Sequence, residues 1–331
     1  MNYIGSKFRL SSWIKEEIHR VVGADLRDKV FCDLFAGTGI VGCTFKLHVK
    51  QVISNDLEHY SFVLNKNYIQ NHQKIDNAKE YIEALNALPL KEDGFIYNNY
   101  CLGSGSGRQY FSDNNGKKID AIRSQIESYK RNKEIGEDVY YFLIASLIES
   151  ADRVANTASV YHAHLKHLKK TASQDLVLEG AEFMENKNEH KVFNEDSNML
   201  IHAISGDILY LDPPYNRRHY GANYHLLNTI SRYESFTPKG KTGLPEYNSS
   251  LYSYPKKASE ALEELIEHAQ FKYIFLSYNN EGLIAENEIK QMMQKYGKYS
   301  LVTKEYKRFK GNKIKNQELK TFEHLHVLEK I

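Results

Sequence analysis

Ile208-Leu209-Tyr210-Leu211 runs without a break into Asp212-Pro213-Pro214-Tyr215, and no other stretch restricts the chain as much. Four largely apolar residues suit a short buried strand. Two consecutive prolines can neither donate ladder hydrogen bonds nor extend a strand, so the strand must stop there. A carboxylate, a rigid carbonyl-bearing turn and an aromatic ring are thereby set at a strand tip. Such a tip suits a planar base with an exocyclic amine, because Asp212 can accept one N–H, the Pro213 carbonyl the other, and Tyr215 can stack on the ring. Acceptors on both hydrogens favour a pyramidal nitrogen able to attack a methyl group, and Asp212 would stabilise the cation that develops. The plain alternative is a Pro-Pro turn with a solvated Asp, and the motif by itself leaves both open.

A second constraint lies upstream. Val30 to Phe35 reads as a strand carrying Asp33 and Phe35, followed by the turn Ala36-Gly37-Thr38-Gly39 and a helix from about Ile40 to Leu47. Two glycines let backbone N–H groups approach a ligand at a helix N-terminus. The next strand, Gln51 to Ser54, ends at Asn55-Asp56, where an acidic residue can bind ribose hydroxyls. Strand, glycine turn, helix, strand and Asp in this order make a nucleoside-binding half-sheet. The missing third glycine weakens a dinucleotide reading. Before it, Asn2-Tyr3-Ile4-Gly5-Ser6-Lys7 sets a lysine beside a glycine turn, suited to an anionic group, ahead of a helix through Trp13, Ile14, Ile18 and Val22.

From Asn71 to about His190 the alternation of strand and helix gives way to polar helices (76–88, 119–131 and 137–151) and loops, longer than a crossover needs. Arg108, Tyr110, Arg123, Arg153, Tyr161, His164 and Lys166 are candidate phosphate or base contacts in it. The sheet resumes at Lys191-Val192-Phe193, and Asp196-Ser197 opens a helix where a carboxylate can cap, accept from an adenine amine, or both. After Tyr215, Arg217-Arg218-His219-Tyr220 is basic and aromatic, 237–257 reads as a long loop, and 299–309 with 321–329 suggests an antiparallel hairpin. Between Lys298 and Lys320 eight Lys/Arg face only Glu305 and Glu318, a cluster fit for phosphates or for a guarded sheet edge.

Charge adds little, since the formal net is only +2. Cys32, Cys43 and Cys101 are widely spaced and match neither a disulfide framework nor a zinc site, so no metal is expected. No apolar run approaches the roughly 18 residues of a membrane span and no signal peptide is evident, so a cytoplasmic protein is expected.

Taken together, Asn2 to Lys7, Asp33 to Gly39, Asn55-Asp56, Asp196 and Asp212-Pro213-Pro214-Tyr215 resemble the Dam-like family of S-adenosylmethionine-dependent N6-adenine DNA methyltransferases of restriction–modification systems. The likeness covers most of the chain. It implies a Rossmann-like α/β methyltransferase sheet, mostly parallel with an antiparallel C-terminal hairpin, plus a largely helical insertion. By that likeness residues 1–72 and 191–331 form the catalytic domain and 73–190 the DNA target-recognition region. Lys7 and the Ala36 to Gly39 turn would hold the cofactor methionine, Asp56 the ribose and Asp196 the adenine, with Tyr3, Asp33, Phe35, Asn55 and Ser197 completing that site. Asp212 to Tyr215 would hold a flipped target adenine, and Arg108, Arg153, Tyr161, Lys166, Arg217, Arg218, His219 and Tyr220 would contact DNA. Double-stranded DNA is the expected partner, with a cognate restriction endonuclease alongside and the enzyme a monomer. RNA adenine methylation and a non-catalytic nucleic-acid-binding module with a vestigial cofactor fold are the alternatives. A glutamine substrate is disfavoured because Asp212, rather than Asn, leads its motif, and an oxidoreductase by the lack of a hydride-transfer acid.

Overall fold

The computed structural model describes residues 7–217, 219–247, 249–306 and 321–331. Among the described residues seven strands form one sheet: β1 (Val30–Asp33), β2 (Gln51–Asn55), β3 (Lys191–Phe193), β4 (Ser205–Leu211), β5 (Gln270–Asn279), β6 (Gly297–Tyr306) and β7 (Thr321–Lys330). Their spatial order is β3-β2-β1-β4-β5-β7-β6. The first five run parallel, while β7 lies antiparallel between β5 and β6. The expected mixed sheet with an antiparallel C-terminal pair is therefore the observed one.

Twelve helices accompany it among the described residues: α1 (Ser11–Val22), α2 (Ile40–Lys46), α3 (His59–Asn65), α4 (Ala78–Asn86), α5 (Phe95–Tyr100), α6 (Asp113–Arg131), α7 (Glu137–Val154), α8 (Ser197–Leu200), α9 (Tyr220–Asn223), α10 (His225–Arg232), α11 (Ala258–His268) and α12 (Glu286–Gln294). The central strands are apolar on both sides because helices cover both faces. Phe31, Ile208, Tyr210 and Phe275 pack on one face with Trp13, Ile14 and Ile18 of α1 and Val41 and Phe45 of α2. Their neighbours in sequence, Cys32, Leu209, Leu211 and Ile274, point the other way onto Leu262 and Ile266 of α11 and Ile289 and Met293 of α12. Alternation along each strand thus feeds two cores.

The long insertion builds a third core. Ile119, Ile122 and Ile126 of α6 and Leu143, Leu147 and Ala151 of α7 pack with Tyr60, Val63 and Leu64 of α3 and Leu226, Leu227 and Ile230 of α10. The helix after the Pro-Pro turn is consequently anchored in the insertion's core. No helix among the described residues is long and apolar enough to cross a membrane.

Strand order reverses between β1 and β4, which leave the sheet's carboxyl end with their helices on opposite sides. Open α/β sheets form their ligand crevice at such a point. Asp33, the last residue of β1, and Asp212, the first after β4, stand on either side of it. Because β7 is antiparallel, its beginning lies at that same end, and Glu323 pairs with Asn279 at the end of β5.

Candidate active site

The turn after β1 is held from three directions. Gly37 and Gly39 have positive φ of 53° and 78°, which glycine adopts without strain. Gly37 N–H donates to Asp56 Oδ2 at 2.7 Å, tying the turn to the tip of β2. Asn65 of α3 donates from Nδ2 to the Gly37 carbonyl at 3.0 Å, and a Cβ on Gly39 would stand 2.8 Å from Asn65 Oδ1. Asn65 was not singled out by sequence; its signal was an amide on an otherwise apolar helix face. Asn55 closes the next gap, donating to the Leu34 carbonyl at 3.2 Å and the Glu195 carbonyl at 3.1 Å.

Lys7, Asp33, Phe35, Ala36, Gly37, Thr38, Asn55, Asp56, Asp196, Ser197, Asp212 and Pro214 all line one crevice, as expected of a single site. Gly39, Pro213 and Tyr215 are not among its lining residues. Gly39 instead begins α2 as its N-cap. Tyr215 packs edge-on against Tyr278 with centroids 5.7 Å apart, and its ring is 5.7 Å from Lys7 Nζ. Tyr220, expected on the DNA side, lines the crevice as well. Asp196 Oδ1 caps α8, accepting from Asn198 N–H at 2.9 Å and Met199 N–H at 3.2 Å.

Sequence reasoning missed part of the wall. The stretch read as a long loop contains a 3-10 turn, Leu251–Ser253, and Ser250 to Ser253 line the crevice. Tyr252 stands edge-on to Phe35, centroids 5.1 Å apart, and its hydroxyl donates to Asn198 Oδ1 at 2.8 Å. Glu58 also lines the crevice and accepts a short hydrogen bond from Asn228 of α10. Asn228 in turn accepts from Tyr60 N–H at 3.0 Å, so α10 is pinned to α3 beside Asp56. The only sequence cue was two polar residues on apolar helix faces.

The electrostatics are acidic. Burial, then the neighbouring Asp212, pushes Asp33 up to about 8 against the Gly42 N–H, which donates to Oδ2 at 3.2 Å. Its other oxygen is buried with no hydrogen-bond partner. Burial also raises Asp56 to about 6 and Glu58 to about 7. Asp212 rises to about 6 through burial, with Lys7 pulling down and Glu323 pushing up. Lys7 Nζ lies 3.0 Å from Asp212 Oδ1 and 3.0 Å from Glu323 Oε1. Lys7, expected on the cofactor, thus lines the crevice with its ammonium engaged by two carboxylates. Burial works to lower its pKa, yet Asp212 and Glu323 outweigh that and hold it well above the ordinary range.

The expected DNA contacts scatter. Tyr161 is fully buried, its hydroxyl donating to Asp152 Oδ1 at 2.7 Å, and so belongs to the insertion's core rather than a DNA-facing surface. Tyr110 is likewise buried, and Arg123, 2% exposed, spends its guanidinium on the Ile230 and Ser231 carbonyls at the end of α10. Arg108 bridges the Asn99 and Gly240 carbonyls at 3.1 and 2.9 Å. Arg153 is exposed and pairs with Glu179 at 2.9 Å. Lys166 and Arg217 are exposed, and His219 packs against Tyr247 and Tyr254. Tyr3 and Arg218 lie outside the described residues, as does 307–320 of the basic C-terminal cluster.

A family model described as D12 class N6 adenine-specific DNA methyltransferase matches residues 3–292. The Type II methyltransferase M.NlaIII of Neisseria lactamica is 60% identical over 333 residues, covering 100% of this chain and 99% of that protein. M.CviAII of Paramecium bursaria Chlorella virus 1 is 37% identical, covering 94% of this chain and 93% of its own. M.FokI of Planomicrobium okeanokoites is 38% identical across 100% of this chain, which spans 53% of that relative's length.

Proposed function

The chain belongs to the D12 class of N6 adenine-specific DNA methyltransferases, and on that footing we propose that Asp212 is the group that receives the target amine, with S-adenosylmethionine as methyl donor in the crevice facing it. The position of Asp212 carries this reading: it stands at the switch point of the sheet, across the crevice from Asp33 and Asp56, on a turn that prolines keep rigid. DNA is the substrate, and neither RNA methylation nor a vestigial binding module is favoured by the family or the relatives.

The residues present fit the donor. Asp33 offers a buried oxygen without a partner, which suits an ammonium group. Asp56, already held by two backbone N–H groups, has lone pairs left for ribose hydroxyls. Phe35 and Tyr252 form an aromatic wall beside Asp196, suited to a planar adenine. When bound, S-adenosylmethionine supplies an electrophilic methyl on a positively charged sulfur.

The chain's own groups do the rest. Asp212 and the Pro213 carbonyl accept the two amine hydrogens, turning the nitrogen lone pair outward, and Asp212 offsets the positive charge that grows on nitrogen. The proton leaves through Asp212 or water. A base paired within a duplex does not reach a recess of this kind, so the adenine must leave the stack. We assign target recognition mainly to residues 73–190, supported by their shared core with α3 and α10 beside the crevice. The Type II names of the relatives support a cognate restriction endonuclease acting on the same site.

The test is transfer of labelled methyl from S-adenosylmethionine to duplex DNA and to RNA, with product nucleosides separated. N6-methyladenine from DNA is expected, and Asp212→Ala should abolish it while cofactor affinity stays within about threefold. Loss of cofactor binding in that variant would remove Asp212 from the amine.

A further inference from the structure

We propose that Glu323, at the start of β7, is a positioning residue for methyl transfer: it holds Lys7, which holds Asp212, and it leaves the three-charge cluster net negative. The inference rests on the assignment of Asp212 to the target amine.

Glu323 has no surface exposure and Lys7 has 5%. One ammonium stands 3.0 Å from each carboxylate, so Lys7 links the tip of β4 to the start of β7. The same Glu323 oxygen accepts a short hydrogen bond from Ser277 of β5, the strand lying between them. Leu325 and Val327, further along β7, are buried and apolar. A buried carboxylate is unfavourable unless paired, and an apolar side chain would serve the sheet better.

Charge supplies the reason. Lys7 alone would neutralise Asp212, weakening its hold on the positive charge that develops on the amine. With Glu323 the cluster carries −1. Methyl transfer moves positive charge from sulfur toward the nitrogen at Asp212, and a net negative cluster favours that movement. Glu323 faces neither substrate nor donor and acts through Lys7. The other titratable groups facing the cluster are Tyr210 of β4, Tyr215 and Tyr220 beyond it, and Asp33 of β1.

The full-length chain should be assayed in single turnover with S-adenosylmethionine and duplex DNA free of N6-methyladenine, comparing Glu323→Gln, Lys7→Gln and the double variant. Glu323→Gln should slow transfer about tenfold with both affinities within about twofold. The acid limb of its rate profile should move to lower pH, because Asp212 loses a neighbouring anion. Lys7→Gln leaves Asp212 and the buried Glu323 without the cation between them, so the double variant should be faster than Lys7→Gln alone. A wild-type rate and unshifted profile in Glu323→Gln would overturn the inference, as would a double variant slower than Lys7→Gln. If Glu323→Gln does not fold, Ser277→Ala keeps every charge and should slow transfer a few-fold at unchanged affinity; an unchanged rate there counts against it. Asp212→Ala separates the two layers. If that variant is inactive while Glu323→Gln is normal, only the role of Glu323 fails; if it is active, the assignment of Asp212 fails first.

Discussion

Asp33 illustrates what a single residue reveals in sequence and what it conceals. A strand-terminal Asp ahead of a glycine turn was readable as a ligand group. Its isolation was not, because the burial and the proximity of Asp212 that raise it from 3.8 to about 8 come from distant segments. A raised carboxyl favours the fold fully below its unfolded value near 4, and that contribution disappears as pH climbs through about 8. Asp33→Asn is neutral throughout. In the cofactor-free protein it should therefore melt like wild type near pH 4.5 and several degrees higher at pH 8.5, a gain on the order of a few kcal/mol. Thermal melts across that range check it, and equal melting curves at pH 8.5 would refute the unfavourable burial of this carboxylate. The same variant should lose cofactor affinity at least tenfold in titration calorimetry, since it removes the carboxyl group that would ionise to pair with an ammonium.

Among elements, those with strong periodicity were legible: β1, β2 and β4, α1 with its buried Trp13, Ile14 and Ile18, and α7 were all within a few residues of their expected limits. Short elements stabilised only by distant partners were not. The Leu251–Ser253 turn lies in a stretch punctuated by Pro and Gly, and its form follows from Tyr252 packing on Phe35 and bonding Asn198. If it walls the donor's adenine, Tyr252→Ala should weaken cofactor binding about tenfold and Tyr252→Phe only a few-fold, since the ring remains. Equal effects in equilibrium binding would assign the contribution to the hydroxyl.

At the scale of the whole molecule, the sheet and the crevice were written in motif order, whereas the DNA-facing surface was not. Tyr161, Tyr110 and Arg123 have side chains suited to nucleic acid yet serve a core, because surface and interior tyrosines look alike in sequence and arginine can be buried when carbonyls satisfy it. Arg217, exposed just past the Pro-Pro turn, remains suited to a phosphate. Arg217→Ala should weaken DNA binding uniformly across sequences and lower the slope of log affinity against log salt by about 1, read by fluorescence anisotropy from 50 to 200 mM salt. An unchanged slope places the residue away from the backbone. The ion pair of Lys7 with Glu323 joins residues more than three hundred positions apart through a strand that enters between two others. During biosynthesis the charge cluster is thus among the last features to form: a chain still emerging from the ribosome has the glycine turn and the Pro-Pro turn but no completed cluster, and with the role proposed for Glu323 it reaches its full rate only once β7 has entered the sheet.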